Sequence, residues 1–343
     1  MYKLFRPLLF LLSTENAHKL VVFFLKITKY IPGLPALLRC IFTVKNKKLQ
    51  RELFGITFKN PIGFAAGFDK NAVVYNQLGN MGFSFVEIGT VTPKGQPGNP
   101  KPRNFRLKKD KAIINRMGFN NDGLVRVIKR IREQKRKNVV LGGNIGKNTS
   151  VANEEAVNDY VKTFVGLYDY VDYFTVNVSC PNIGNLQKLQ NKAELEIILK
   201  ALVNERRYMD VYKPILLKIS PDLSFEQIDD TLYIIREIGI DGIVAVNTTT
   251  SREGLITPPE KIQEIGNGGL SGKPLTERAL EVVKYISEQT SGELPIIAVG
   301  GIMTVQDALN MLNAGASLIQ LYTGYIYEGP WFVKKIQKAL LNN

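Results

Sequence analysis

The stretch FTVNVSCPNIGN, Phe174 to Asn185, sets a thiol among amides. Its apolar first half reads as a buried strand, which delivers Asn177, Ser179, Cys180 and Asn182 onto a turn that Pro181 must break. Asn177 and Asn182, with Asn115 and Asn247 from other segments, each offer a donor and an acceptor. Together they complement a heterocycle that carries alternating C=O and N–H groups. The thiol has either a chemical role there or the role of a small buried hydrophobe. Cys40 and Cys180 lie far apart with no short-spaced partner, which argues against a disulfide framework or zinc knuckle and for a reducing compartment. His18 is the only histidine, so no histidine-based catalytic or metal site is available, and no metal is expected.

Those residues need a scaffold, and 343 residues with 45% hydrophobic content can bury one large core or two small ones. From Asn60 onward one unit repeats: a short apolar run ending in Gly, Asn, Lys or Thr, then a helix-length amphipathic segment. The runs are PIGFAAG (61–67), FSFVEIGT (83–90), VVLGGNIG (139–146), YFTVNVS (173–179), PILLKIS (214–220), GIVAVN (242–247), PIIAVGG (295–301) and SLIQLYTG (317–324). Alternating strand and helix signals imply a parallel sheet buried on both faces. Eight units in about 280 residues match a closed (β/α)8 TIM barrel, an α/β fold, better than an open sheet. Leu49 to Lys59 reads as an extra hairpin before the first strand.

In such barrels the site lies at the C-terminal ends of the strands. Those ends carry Lys70, Thr90, Asn144, Asn177, Lys218, Asn247, Gly300 with Gly301, and Thr323 with Gly324. So much amide and ammonium at one face implies a polar ligand, because buried polar groups must be partnered. The glycines of AVGGI and the YTG turn, joined by GGLSGKP (268–274), offer backbone N–H groups as a phosphate cradle, which implies a phosphate-bearing cofactor.

The formal charge of +14 is uneven. Residues 1–51 hold ten Lys and Arg against one acid, Glu15, so +9 of it sits there. That asymmetry favours a basic surface element over a nucleic-acid-binding body, and no nucleic acid is expected as a partner. LLFLL, LVVFFL and IPGLPALL are each broken by charge or proline well short of the roughly 20 residues of a spanning helix, and no signal-peptide cleavage site follows the first. A pair of short amphipathic helices fits instead: Tyr2 to Leu12, a break at Ser13 and Thr14, then a second to about Tyr30. Ala17, Leu20, Val21, Phe24 and Leu25 follow helical spacing, Val22 and Phe23 widen the apolar face, and Lys19, Lys26 and Lys29 flank it. Such a helix lies in a membrane interface; the alternative is a helical cap packed on its own domain. The chain divides into an extension, 1–45, and a barrel domain, 46–343.

In order, NPIGFAAGFDKN, EIGTVTPKGQPGNPKPRNFRL, INRMGFNN, NIGKN, NVSCPN, VNTTT, GGLSGKPL and VGGI resemble dihydroorotate dehydrogenase of pyrimidine synthesis, from about residue 1 to 335. STENAHKL and PKGQPGNPKPRNFRL resemble its membrane-associated, quinone-reducing class 2 rather than the soluble class 1. The resemblance implies oxidation of dihydroorotate to orotate, with FMN held by Ala66, Gly67, Thr90, Asn144, Asn177, Lys218, Gly272, Gly301, Tyr322 and Thr323. It implies substrate contacts from Lys70, Asn115, Arg116, Met117, Gly118, Phe119, Asn177, Asn182, Asn247 and Thr248. It places His18, Arg106 and Tyr322 along a quinone tunnel under the N-terminal helices; the alternative for His18 is a surface residue on an amphipathic helix.

Cys180 departs from the class 2 pattern, which usually has serine there; class 1 often has cysteine. The reaction the resemblance implies removes a proton from dihydroorotate C5 and a hydride from C6, so a base must face the substrate opposite the flavin. A thiol, with a reference pKa of roughly 8.5, can be that base near neutral pH, the more so with Lys70 favouring the thiolate. Cys180 is therefore the expected catalytic base.

With a class 2 extension and a class 1 base, three alternatives stand beside the quinone enzyme. They are a soluble dehydrogenase linked to fumarate, NAD or a partner subunit, an FMN-dependent tRNA dihydrouridine synthase, and a non-catalytic binding barrel. The expectation is a monomeric peripheral membrane protein at the cytoplasmic face of a bacterial inner membrane, since no long transit peptide precedes the first helix.

Overall fold

The computed structural model describes residues 2–134, 139–179 and 192–342; Cys180 and Asn182 lie outside the described residues. The chain opens with helix α1 (Tyr2–Leu9), which ends short of the expected Leu12. Helix α2 (Thr14–Thr28) follows the expected break: the Ser13 side chain caps it, accepting from the Asn16 N–H, and Glu15 sits in its positive first turn. A third helix, α3 (Leu34–Phe42), was not expected. Gly33 and Pro35, which read as breaks, start it instead, since Pro costs no hydrogen bond in the first turn.

Strands β1 (Arg51–Leu53) and β2 (Ile56–Phe58) form the expected antiparallel hairpin. The chain then runs through β3 (Ile62–Phe64), α4 (Tyr75–Asn80), β4 (Phe85–Val91), β5 (Lys94–Gln96), β6 (Asn104–Leu107), β7 (Ala112–Asn115), β8 (Asn121–Gly123) and α5 (Leu124–Glu133). Next come β9 (Val140–Ile145), α6 (Ala156–Leu167), β10 (Tyr173–Asn177), α7 (Lys192–Arg206), β11 (Ile215–Ile219), α8 (Phe225–Ile238) and β12 (Gly242–Ala245). The last part holds α9 (Pro259–Ile265), β13 (Gly269–Gly272), α10 (Thr276–Gln289), β14 (Ile296–Val299), α11 (Val305–Asn313), β15 (Leu318–Leu321), α12 (Thr323–Glu328) and α13 (Trp331–Asn342).

Strands β3, β4, β9, β10, β11, β12, β14 and β15 close in that order into a parallel barrel, so every apolar run read from the sequence is a barrel strand. The interior is filled by Phe85, Tyr173, Leu216, Val244, Ile297 and Leu318, with Phe58 of the hairpin packed against them. The two aromatics fit because glycine faces each across the ladder: Gly63 pairs with Phe85 and Gly142 with Tyr173. A Cβ at either glycine would stand 2.3 Å from the opposing ring. A larger apolar cluster joins the outer faces of the strands to the helices.

Two small sheets, not foreseen in the sequence, complete the fold: β13–β7–β6 and β5–β8. The three-stranded sheet pairs Asn104 with Asn115 and Asn115 with Gly269. The segments INRMGFNN and GGLSGKP thereby meet at the barrel mouth.

Candidate functional site

A cavity of about 150 Å³ opens between the C-terminal strand ends and the three-stranded sheet. Of the expected positions it is lined by Ala66, Gly67, Lys70, Thr90, Asn115, Met117, Gly118, Phe119, Asn177, Lys218, Asn247, Thr248, Gly272, Gly301, Tyr322 and Thr323. Asn144 is fully buried and stands one layer behind, accepting from the Thr90 hydroxyl at 2.5 Å. Arg116 does not line the cavity: its guanidinium lies over the Phe105 ring and donates to the carbonyls of Ile265, Asn267 and Pro102. Arg116 lies just past the end of β7 and, of the two, only Asn115 lines the cavity.

Behind the cavity floor a chain of hydrogen bonds runs into the barrel. Asn177 donates to Thr90 Oγ1 at 3.0 Å and to Asn144 Oδ1 at 3.3 Å. Asn144 donates to Glu87 Oε1 at 2.8 Å, and Glu87 Oε2 accepts from Gln320 at 2.8 Å, Thr175 at 3.0 Å and Tyr173 at 3.3 Å. Burial, with the Glu87 carboxylate beside it, pushes the Tyr173 hydroxyl well above its ordinary pKa, so it serves as a donor. Because Glu87 takes the Gln320 N–H, the Gln320 Oε1 is the free end; it is buried without a partner, on a residue of the cavity wall. Glu87 and Gln320 were missed in the sequence. The available signal was a lone carboxylate inside the apolar run FSFVEIGT, which a buried strand tolerates only if donors converge on it.

At the other end of the cavity, glycine backbone approaches closely. Gly272 and Gly301 have φ of 101° and 68°, which exclude ordinary side chains, and Cβ atoms there would strike Lys111 O at 2.4 Å and the Thr276 Cα at 2.3 Å. Thr323 Oγ1 bonds Ser271 Oγ at 2.8 Å, tying the start of α12 to β13. Ser271, also missed in the sequence, lines the cavity. Toward the mouth, Asn247 donates to Ser179 Oγ at 3.0 Å and to Asn177 Oδ1 at 3.3 Å, and its own oxygen accepts from the Thr248 N–H at 2.9 Å. An unpartnered buried acceptor, an ammonium (Lys218), clustered amides and a glycine-lined end fit a planar polar heterocycle with a phosphate arm, which is the form of FMN.

A second cavity of about 280 Å³ lies under α1 and α2, walled by Leu9, Phe10, Ala17, Val21 and Leu25 from the helices and by Phe68, Ile113 and Tyr325 from the barrel. The two cavities share Gly67, Lys70, Asn104, Ile113, Met117 and Tyr322. Burial raises the Tyr322 hydroxyl to about 12 and lowers Lys70 to about 8, with Arg103 pushing the lysine further the same way. Lys70 donates to Gly67 O at 2.6 Å.

His18 faces this cavity rather than solvent and bonds the Phe68 carbonyl through Nε2 at 2.8 Å. Burial first, and the Lys70 charge second, lower its pKa to about 4, so the ring is neutral, Nε2 carries the proton and Nδ1 is an acceptor. Arg106 stacks over Phe10 at 4.3 Å and donates to the carbonyls of Phe10 and Leu12 at 3.3 and 3.2 Å. The helices are fixed to the barrel by Glu15, which accepts from Arg103 at 2.7 Å, by the Tyr2 hydroxyl on Ile326 O at 2.5 Å and by Arg6 on Tyr327 O at 2.9 Å. The extension thus packs on its own domain. Its inner face caps the barrel, while its outer face exposes Leu4, Phe5, Leu8, Leu11, Phe23, Phe24 and Leu37. Among the described residues no helix is long and apolar enough to cross a membrane.

The family model for dihydroorotate dehydrogenase matches residues 48–343. Over 342 residues the chain is 53% identical to the dihydroorotate dehydrogenase (quinone) of Christiangramia forsetii, covering 99% of each chain. It is 44% identical to the protein of the same name from Roseiflexus castenholzii, covering 99% of this chain and 92% of that one. The solved DHODH of Eimeria tenella in complex with ferulenol superposes with a TM-score of 0.85 at 36% identity, covering 96% of this chain and 90% of that one. Its ligand-free form gives 0.86 at the same identity, over 96% and 94%.

Proposed function

The chain belongs to the dihydroorotate dehydrogenase family, and we propose that it oxidises dihydroorotate to orotate with FMN and passes the electrons to a membrane quinone held under α1 and α2. The observation that carries this reading is the common wall of the two cavities. One redox group lodged at that wall is reachable from a polar pocket on one side and an apolar one on the other. The quinone in the names of the bacterial relatives agrees with the apolar cavity and disfavours a fumarate- or NAD-linked enzyme or a tRNA-modifying one.

FMN, when bound, supplies the acceptor for the hydride leaving dihydroorotate C6 and the electrons later given to quinone. The protein does the positioning. Lys70 offers its ammonium to the substrate carboxylate, and Asn115, Asn177 and Asn247 match the ring's amide edges with both donors and acceptors. The Glu87 network holds Asn144, Thr90 and Asn177 in one orientation, so no reorganisation is needed as charge moves. The three-stranded sheet lines the mouth through Asn104, Ile113, Asn115 and Ser271. Asn182 is proposed as a further substrate contact. Cys180, which follows Ser179 in the chain, is proposed as the base that takes the C5 proton.

The exposed apolar outer face of α1 to α3, with the basic residues around it, supports docking on an anionic membrane surface, at the cytoplasmic face of a bacterial inner membrane, as a monomer. Residues 1–45 then serve both as membrane contact and as tunnel wall. The deciding experiment offers the purified enzyme dihydroorotate with decylubiquinone, fumarate or NAD separately. Turnover with the quinone alone is expected; preference for fumarate or NAD would overturn the acceptor assignment.

A further inference from the structure

The second cavity is apolar except at a few points, and one of those points has no partner. Asn104 opens β6, opposite Asn115, and lies in the wall common to both cavities. Its Oδ1 is buried and makes no hydrogen bond. Arg106, two residues on along the strand and so on the same face, has its guanidinium fixed by the helix carbonyls of Phe10 and Leu12, while its Nε is also buried and unpartnered. Leaving a buried amide oxygen unpaired is costly, because its lost hydration is not replaced. A site that carries such an amide where an apolar residue would pack has a use for it.

We propose that Asn104 is a quinone-binding residue that sets the acceptor's head group against the shared wall; the proposal rests on the quinone reading given above. The argument is chemical. A quinone carbonyl only accepts hydrogen bonds, and the quinol formed from it by two electrons and two protons also donates them. A carboxamide serves both states: Nδ2 donates to the carbonyl, and Oδ1 accepts from the hydroxyl. Neither neighbour does this as well. The neutral His18 has its N–H engaged by Phe68 O, and Arg106 only donates. The wall position brings the head group to the side of the redox cofactor while the apolar helix residues take the tail.

The test uses the FMN-loaded enzyme and measures the half-reactions separately under anaerobic conditions. Asn104→Leu, alike in branching and apolar, should raise the KM for decylubiquinone roughly three- to tenfold, the effect of one hydrogen bond. It should slow quinone reoxidation of the flavin while leaving orotate affinity unchanged. Asn104→Gln should recover part of the loss, a rescue that a merely structural role would not show. Should the leucine variant not fold, Asn104→Ala removes the same donor and acceptor at smaller volume. A wild-type KM for decylubiquinone in the leucine or alanine variant overturns the proposal, as does a change confined to orotate binding. Failure of decylubiquinone to reoxidise the wild-type enzyme would instead defeat the quinone reading itself.

Discussion

Glu87 and Asn144 are joined at 2.8 Å inside the barrel, the carboxylate accepting from the amide that in turn accepts from Thr90 in the cavity wall. Four side chains donate to Glu87, so it anchors a network rather than a pair. Glu87→Leu orphans all four donors and should destabilise the protein by at least ~3 kcal/mol. Glu87→Gln keeps the shape but adds a donor where acceptors are needed, and should cost less yet still loosen FMN. Thermal unfolding and retained flavin after gel filtration report both. Wild-type values in the two variants would deny the network any role.

Cys180→Ala should keep the yellow flavin but slow its reduction by dihydroorotate by orders of magnitude, measured by anaerobic stopped flow. Cys180→Ser should retain some rate with its pH dependence moved upward, because a hydroxyl is far less acidic than a thiol. An unchanged pH profile in the serine variant would remove the thiol from the chemistry.

Lys70 titrates at about 8 because its burial disfavours the ammonium. A carboxylate ligand selects the protonated form. Orotate affinity should therefore be level below about pH 8 and fall by up to about tenfold per pH unit above it. Lys70→Met should bind weakly at every pH with no such slope. Flavin absorbance titrations with orotate decide it, and a slope that survives in the variant would point to another group.

His18 has a folded pKa of about 4 against an ordinary 6.5, so below pH 6.5 the unfolded chain binds the proton more readily. The stability from the neutral ring is whole above pH 6.5 and is lost as pH falls toward 4, a total of up to ~3 kcal/mol on complete protonation. His18→Gln, which can still donate to Phe68 O, should flatten the fall in melting temperature between about pH 7 and 5. Equal slopes in the two proteins would show that other groups govern acid sensitivity.

Phe23 and Phe24 are 56% and 58% exposed on the outer face of α2. Replacing both by glutamate should abolish sedimentation with anionic liposomes, through lost apolar burial and through repulsion, while flavin reduction by dihydroorotate stays unchanged. Undiminished liposome binding would place the membrane contact elsewhere.

Much of the site was legible because barrel strands are periodic and their ends are chemically marked. The eight apolar runs gave the strands, and Lys70, Thr90, Asn177, Asn247 and Thr323 stood where each run turned polar. Arg116, expected beside the substrate, does not line the cavity, because past the end of β7 its guanidinium turns onto Phe105 and the carbonyls beyond, a direction that adjacency in sequence does not encode. Helix α3 was missed because Gly33 and Pro35 are punctuation in a linear reading and a helix start in a folded one.

The sequence by itself determined the barrel, the amide-rich mouth and the basic apolar extension, since each follows from local periodicity and composition. Only the tertiary structure decided that Asn104 on β6, Tyr322 beyond β15 and Lys70 beyond β3 form one wall between two cavities. It alone showed Glu87 collecting donors from β9, β10 and β15. Such contacts join residues up to 233 positions apart. Their registers are set by how the barrel closes around its aromatic and glycine interior, and no local signal encodes that closure.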